Sequence, residues 1–153
     1  MATIRPATLA DLDALCALER RAFATDRLSR RSLRRQLAEA RNALLVAEEG
    51  GVLAGYALVL FRAGSRAARL YSLAVGAGHA GRGLGRALLA ATEAAARGRG
   101  CHVIRLEVHE ANRRAARLYE QAGYAAFGRL ARYYADGASA VRYRKALRPH
   151  KPV

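Results

Sequence analysis

The stretch that decides the fold is Leu70-Tyr71-Ser72-Leu73-Ala74-Val75-Gly76-Ala77-Gly78-His79-Ala80-Gly81-Arg82-Gly83-Leu84-Gly85-Arg86-Ala87-Leu88-Leu89. An apolar run rich in β-formers ends at Val75, five glycines fall between Gly76 and Gly85, and an Ala/Leu-rich helical pattern follows. Strand, glycine turn and helix start together make an anion site out of backbone. The first N–H groups of a helix have no intrahelical partner, and the helix dipole adds about half a positive charge there. Glycines let that backbone come close to a phosphate without Cβ interference. Arg82 in the loop and Arg86 one turn into the helix add charge. A phosphate or pyrophosphate cradle is expected here.

Two cradles fit these letters. Gly76-x-Gly78-x-x-Gly81 is a dinucleotide-type G-x-G-x-x-G after a strand, with Glu107 ending the next expected strand as a ribose-binding acid would. That fold opens on its motif and needs several further βα units. Here the motif begins at residue 76, and 46 residues follow Glu107. The later glycines, in Arg82-Gly83-Leu84-Gly85-Arg86, need one phosphate-binding loop in the middle of a small α/β domain, which the length allows. A Walker A loop is excluded, since no Gly-Lys-Ser/Thr follows. A nicotinamide dehydrogenase remains as the residual reading.

The chain has 153 residues, 52% hydrophobic and 25% charged, which suits one globular domain over residues 1–147 and a short basic tail at 148–153. Cys16 and Cys101 are too few for a disulfide framework and lack metal-ligand spacing with any His, so no metal is expected. Met1-Ala2-Thr3-Ile4-Arg5-Pro6 shows no apolar leader, and no run is long enough to span a bilayer. A cytoplasmic protein without membrane contact, monomeric or homodimeric, is expected. The net charge of +15 comes from 25 arginines against 2 lysines. Codon bias of a GC-rich genome raises Ala and Arg together; the functional reading is a field that draws in a polyanion. The aromatic-basic interleaving of an RNA-binding sheet is missing, as is helix-turn-helix spacing, so nucleic acid is not the expected partner.

Taken in order, Thr3–Ala7 reads as a strand, and Thr8 with Asp11 as a capping-box variant opening a helix to about Phe23. Cys16 falls on its apolar stripe with Leu12, Leu15 and Leu18. A second helix is expected from Ser32 to Ala40, with Arg30, Arg31, Arg34, Arg35 and Arg41 in or near it as a solvated face. Ala43–Glu48 and Val52–Arg62 flank the hairpin signal Glu49-Gly50-Gly51, and Ala67–Val75 makes a third consecutive strand. A helix from Gly83 to Arg97 leads to strand Val103–His109, reached by a helical crossover and hence parallel to the strand before the cradle. Asn112 caps a fourth helix to Ala122, and Ala125–Ala131 and Ser139–Leu147 close the chain. The order β-α-α-β-β-β-α-β-α-β-β predicts an α/β (α+β) fold, a mixed sheet of about seven strands flanked by about four helices. On Val103–His109, Arg105, Glu107 and His109 share one face; charges on a central strand suggest that this face opens on a cleft. A structural ion pair of Arg105 or a neighbour with Glu107 is the plainer alternative, and His109 reads as a rim residue.

Two motifs at this separation resemble the GNAT acetyltransferases. Ala80-Gly81-Arg82-Gly83-Leu84-Gly85 resembles that family's acyl-CoA loop, Gln/Arg-x-x-Gly-x-Gly/Ala, with Ala80 at the position where Gln or Arg is usual. Leu106-Glu107-Val108-x-x-x-Asn112-x-x-Ala115-x-x-Leu118-Tyr119-x-x-x-Gly123-Tyr124 resembles the RimI-type ribosomal-protein-alanine branch, as does Tyr133-Tyr134-x-Asp136-Gly137-x-x-Ala140. The resemblance implies the GNAT fold, acetyl-CoA as co-substrate without metal, and an amine acceptor. It implies Glu107 as general base and Tyr119 as general acid. It further implies cofactor contacts at Leu73, Ala74, Val75, Ala80, Gly81, Arg82, Gly83, Leu84, Gly85, Arg86, Asn112, Arg117 and Tyr119. On the acceptor side it implies Leu28, Tyr71, Glu107, Tyr133 and Tyr134.

The chemistry also follows without the family. Alkyl ammonium groups are mostly protonated at neutral pH, so an amine attacking a thioester must lose a proton, which Glu107 can accept directly or through water. Partial burial would raise its pKa toward the working pH. A backbone N–H near Leu73–Ala74, freed by strand splaying or a bulge, can donate to the tetrahedral oxyanion, and Tyr119 can protonate the leaving thiolate. The acceptor is expected to be a peptide α-amine. A small amine is the alternative, since the chain has no Trp and no Phe-Pro-Trp-type segment between its first two helices. A non-catalytic CoA-binding module and a basic nucleic-acid-binding module are the readings from other classes.

Overall fold

The computed structural model describes residues 2–81 and 83–148. Arg82, an expected cofactor contact, and the expected basic tail beyond Arg148 lie outside them. The elements follow the expected order: β1 (Ala2–Pro6), α1 (Leu12–Ala22), α2 (Arg30–Ala38), β2 (Ala43–Glu49), β3 (Val52–Phe61), β4 (Ala67–Val75), α3 (Leu84–Gly98), β5 (Val103–His109), α4 (Arg113–Gln121), β6 (Ala125–Leu130) and β7 (Ala140–Ala146). Short 3-10 turns at Leu9–Asp11 and Ala77–His79 were not anticipated. They form one mixed sheet in the order β1-β2-β3-β4-β5-β7-β6, with β4 and β5 parallel.

Local chemistry sets most boundaries. Thr8 N–H donates to Asp11 Oδ2 at 2.7 Å, while Arg5 clamps the same carboxylate from β1 at 2.8 and 2.9 Å. The first turn is therefore 3-10, and the regular helix begins at Leu12. α2 starts at Arg30, two residues before the expected Ser32, because Ser29 accepts the Ser32 N–H at 3.0 Å and caps it. Asn112 caps α4 through the Ala115 N–H, as expected. Gly50 and Gly51 both take positive φ in a two-residue hairpin loop, a conformation that glycine enters without strain.

Helices cover both sheet faces. α1 and α2 pack over Leu44, Val46, Tyr56, Leu58 and Ala74. α3 and α4 pack over Ala47, Ala57, Val59, Ile104 and Leu106. Cys16 and Cys101 are buried free thiols. Glu93 of α3 accepts Tyr124 Oη at 3.0 Å and Lys145 Nζ at 2.9 Å, tying α3 to the strand after α4 and to β7.

Two irregularities shape the centre. The β3–β4 register shifts so that Leu58 faces Ser72 while Val59 faces Leu70, leaving Tyr71 as the extra, bulged residue. The β4–β5 ladder pairs Ala67, Ala68 and Arg69 with Val103, Ile104 and Arg105, and stops there, although both strands run on. The strands splay open beyond that point.

Candidate active site

A cavity of about 580 Å³ occupies the splay. Its walls come from Arg69–Leu73 of β4, Leu106–His109 of β5, Asn112, Ala115 and Tyr119 at α4, the α1–α2 loop, and the β6–β7 loop. On β5, Ile104, Leu106 and Val108 point into the core, and Glu107 and His109 line the cavity, as the alternation suggested.

Glu107 is not paired with Arg105. Arg69, on the neighbouring strand, brings Nε to 2.9 Å and Nη2 to 2.7 Å from Glu107 Oε1. Arg142, directly opposite on β7, places Nε 3.5 Å from Oε2, in ion-pair range but without hydrogen-bond geometry, and that nitrogen is buried with no hydrogen-bond partner. Arg69 Nη2 also donates to Tyr133 Oη at 2.7 Å, and its guanidinium lies 5.3 Å from the Tyr71 ring centre. The ion-pair alternative for Glu107 is therefore real, with Arg69 as main partner, and it coexists with a cavity-lining position.

Tyr119 sits at the cavity wall with 7% of its surface exposed, its ring edge-on to Tyr124. Burial, with Tyr134 nearby, pushes its phenol above the ordinary value. Tyr134 is likewise pushed up to about 12, mainly by burial. It stacks on His109 at 4.9 Å. His109 Nδ1 accepts the Ala111 N–H at 3.1 Å, so the ring hydrogen sits on Nε2, 2.8 Å from Asp136 Oδ2. That contact holds the Asp136 carboxyl below its ordinary value. His109 is a rim residue, as read from the sequence.

The two lips of the cavity are tied to each other. Asp26, at φ 56°, accepts the Ala135 N–H on both oxygens, at 3.2 and 3.1 Å, linking the α1–α2 loop to the β6–β7 loop. Leu28 on one lip donates its N–H to buried Glu19 at 2.6 Å. Tyr56 Oη also donates to Glu19, and lies 2.7 Å from Ser72 Oγ on β4. Burial raises the Glu19 carboxyl above its ordinary value.

The expected cofactor residues divide into groups. Leu73, Asn112 and Tyr119 line the cavity. Ala74 and Val75 do not; they pair with Tyr56 and Gly55 of β3. Leu84 is a core side chain, so its backbone alone can serve a ligand. Gly81 and Gly83 have φ of 79° and 76°, and a Cβ at either would meet nothing within 4 Å, so the loop backbone lies open. A Cβ at Gly85 would come 3.3 Å from Leu118, which accounts for a glycine where α3 meets α4. The first α3 hydrogen bond runs from Ala87 N–H to Gly83, leaving the N–H groups before it without intrahelical partners. This open, glycine-lined helix start fits a pyrophosphate. Arg117 is exposed, and Arg86 donates to the Gln121 carbonyl at 3.1 Å.

Arg69, Arg142, Asp26 and Glu19 were missed by the sequence reading. Arg69 carried a usable signal, a charge on a central strand beside Glu107. Arg142 did not, because nothing local says that β7 inserts next to β5.

A splayed parallel pair beside a glycine-initiated helix is the architecture of an acyl-CoA transferase, and the chain belongs to the Acetyltransferase (GNAT) family, whose pattern matches residues 11–124. It is an acetyl-CoA-dependent N-acetyltransferase acting on an amine. It is 34% identical over 147 residues, 94% of this chain and 91% of the relative, to the N-alpha-acetyltransferase RimI of Mycobacterium tuberculosis. It superposes on the ribosomal-protein-S18-alanine N-acetyltransferase of Escherichia coli with a TM-score of 0.87 and 27% identity, covering 99% of this chain and 97% of that one. The yncA acetyltransferase of Salmonella typhimurium, solved with its cofactor acetyl-CoA, matches at TM-score 0.80 and 26% identity over 100% and 98% of the two chains. No described helix is long and apolar enough to cross a membrane.

Proposed function

We propose that this chain acetylates the α-amine of a protein or peptide N-terminus. The observation that carries the reading is a cavity running from Glu107 and Tyr119 to an open mouth flanked by Leu28, Tyr71, Tyr133 and Tyr134, with three carboxylates, Asp26, Glu107 and Asp136, on its walls against Arg69. Such a mouth admits an extended chain end, and its acids favour an ammonium group despite the basic surface. The likeness to an N-alpha-acetyltransferase and to a ribosomal-protein-S18-alanine N-acetyltransferase supports it.

In this reading the open backbone at Gly81, Gly83, Leu84, Gly85 and Arg86 holds the pyrophosphate, with Arg82 and Ala80, whose own N–H is taken by the Ala77 carbonyl, beside it. Leu73 lines the thioester arm, Ala74 and Val75 offer it only the backbone edge turned away from β3, and Asn112 and Arg117 contact it from α4. Bound there, acetyl-CoA supplies a thioester carbonyl for attack and a thiolate leaving group. Glu107 accepts the ammonium proton, directly or through water, and a β4 N–H freed by the splay near Leu73–Ala74 donates to the oxyanion. Tyr119 stays protonated and donates toward the departing sulfur. The protein acts as one catalytic domain, 1–147, in the cytoplasm, as a monomer or homodimer, with neither nucleic acid nor membrane as partner. A second reading, a small amine carrying a carboxylate, is favoured by one observation: the Arg69 guanidinium inside the cavity.

The test compares acetyl transfer to a free-N-terminus peptide, the same peptide with a blocked N-terminus and internal lysine, and small amino acids. Turnover of the free peptide alone is expected. Turnover of amino acids alone would install the second reading, and none at all, with acetyl-CoA still bound, would point to a binding module.

A further inference from the structure

The arginines of α2 play no part in the cavity just described. We propose that a groove beside α2 is a second acceptor subsite, which takes an acidic side chain of the peptide undergoing acetylation, with Arg35 as its counter-ion. The proposal rests on the peptide-acceptor reading above.

The groove, about 230 Å³, is floored by Leu58 and Leu60 of β3 and walled by Arg35 and Gln36 of α2. Leu28 and Tyr71 line both this groove and the main cavity, so the two are continuous around one aromatic ridge. The bulge at Tyr71 makes that ridge: the extra residue stands out from β4 with 46% of its surface exposed. From Glu107 to Arg69 is 2.9 Å, and from Arg69 to the Tyr71 ring 5.3 Å. A peptide whose amine sits at Glu107 crosses the ridge within roughly three or four residues of extended chain, at about 3.3 Å each.

Charge selects the occupant. Arg30 is engaged by Asp13 at 2.6 Å, whereas Arg31, Arg34 and Arg35 are exposed and have no carboxylate within ion-pair distance among the described residues. Gln36 is held in place by the Asn42 side-chain amide at 2.9 Å, which leaves Arg35 as the groove's charged group. The path therefore changes sign along its length, acidic where the ammonium group docks and basic beyond Tyr71. A peptide with a free α-amine and a Glu or Asp a few residues downstream matches both ends. A polybasic N-terminus matches only the first.

The experiment uses the full chain at saturating acetyl-CoA and three peptides with a free N-terminal Ala, identical except for Glu, Gln or Lys at the fourth position. kcat/KM is read from CoA release. The expected order is Glu above Gln above Lys, with steps of about three- to five-fold, the scale of one partly exposed ion pair. Arg35→Glu is expected to reverse the order, whereas Arg31→Glu, the same charge change on α2 outside the groove, is expected to keep it. Equal rates for the three peptides would overturn the subsite, as would an equal response of the two variants, which would assign the effect to net charge. Inhibition by a single-stranded RNA oligonucleotide, abolished in Arg35→Glu, would give the groove to nucleic acid and overturn it too. If no peptide turns over while a small amine does, the peptide reading itself fails, a result distinct from equal peptide rates.

Discussion

Glu107 reaches the cavity already anchored. Oε1 is taken up by two nitrogens of Arg69, while Oε2 faces an Arg142 nitrogen too poorly aligned to donate. Oε2 is thus the freer oxygen for a proton or a bridging water. Glu107→Gln keeps the shape and removes the proposed proton acceptor, so kcat is expected to fall about 100-fold or more, within the range of general-base effects. Thermal stabilisation by acetyl-CoA should survive, because the glycine loop is untouched. A rate near wild type would remove Glu107 from the chemistry and leave it as an ion-pair strut. Burial makes the Tyr119 phenol a reluctant acid but a permanent hydrogen-bond donor. At this scale Glu107 was legible because a charge on a buried strand needs a reason. The same logic applied to Arg69 would have found its partner on the neighbouring strand, two residues past the last shared rung at Arg69–Arg105.

Among the elements, the α1–α2 unit is fixed to the sheet by a buried carboxylate rather than by apolar packing alone. Glu19 on α1 receives Tyr56 of β3 and the Leu28 N–H, and through Tyr56 it meets Ser72 of β4. Burial raises its folded pKa above the unfolded value, so the folded state binds the proton more tightly. Its contribution to stability is then full below the unfolded value and is lost as pH rises through the folded one. Asp11 works the other way: Arg5 holds its pKa down, and its contribution is lost as pH falls. Urea unfolding from about pH 2 to pH 8 is expected to show Glu19→Gln flattening the decline on the high-pH side, while the acid limb, where Asp11 takes up its proton, stays. An unchanged slope would mean that Glu19 does not titrate in that window. Element order and the parallel β4–β5 pair could be read from periodicity and crossover length, but the start of α2 depended on noticing Ser29 three residues before Ser32. The splay and the bulge have no local signature, since both come from how β4 divides its hydrogen bonds between two neighbours.

Over the whole molecule, composition announced one property that no single contact carries, the net charge of +15. The structure gives it a direction. Carboxylates gather at the acceptor cavity, while the cradle side offers open backbone with Arg86 and Arg117 exposed nearby. On the proposed reading the anionic co-substrate is drawn to the arginines around the glycine loop, and the ammonium end of the acceptor meets the carboxylates of the cavity. Long-range attraction of this kind acts on encounter and is screened within about 10 Å at 0.1 M salt and about 3 Å at 1 M. The proposed chemistry at Glu107 and Tyr119, both largely buried, is screened much less. Raising salt from roughly 0.05 M to roughly 0.5 M is therefore expected to lower kcat/KM for acetyl-CoA several-fold while kcat at saturation stays within about a factor of two. Steady-state kinetics in potassium chloride measure both at once. A salt-independent kcat/KM for acetyl-CoA would mean that the arginines do not steer it, and that backbone donors at the helix start alone set its capture.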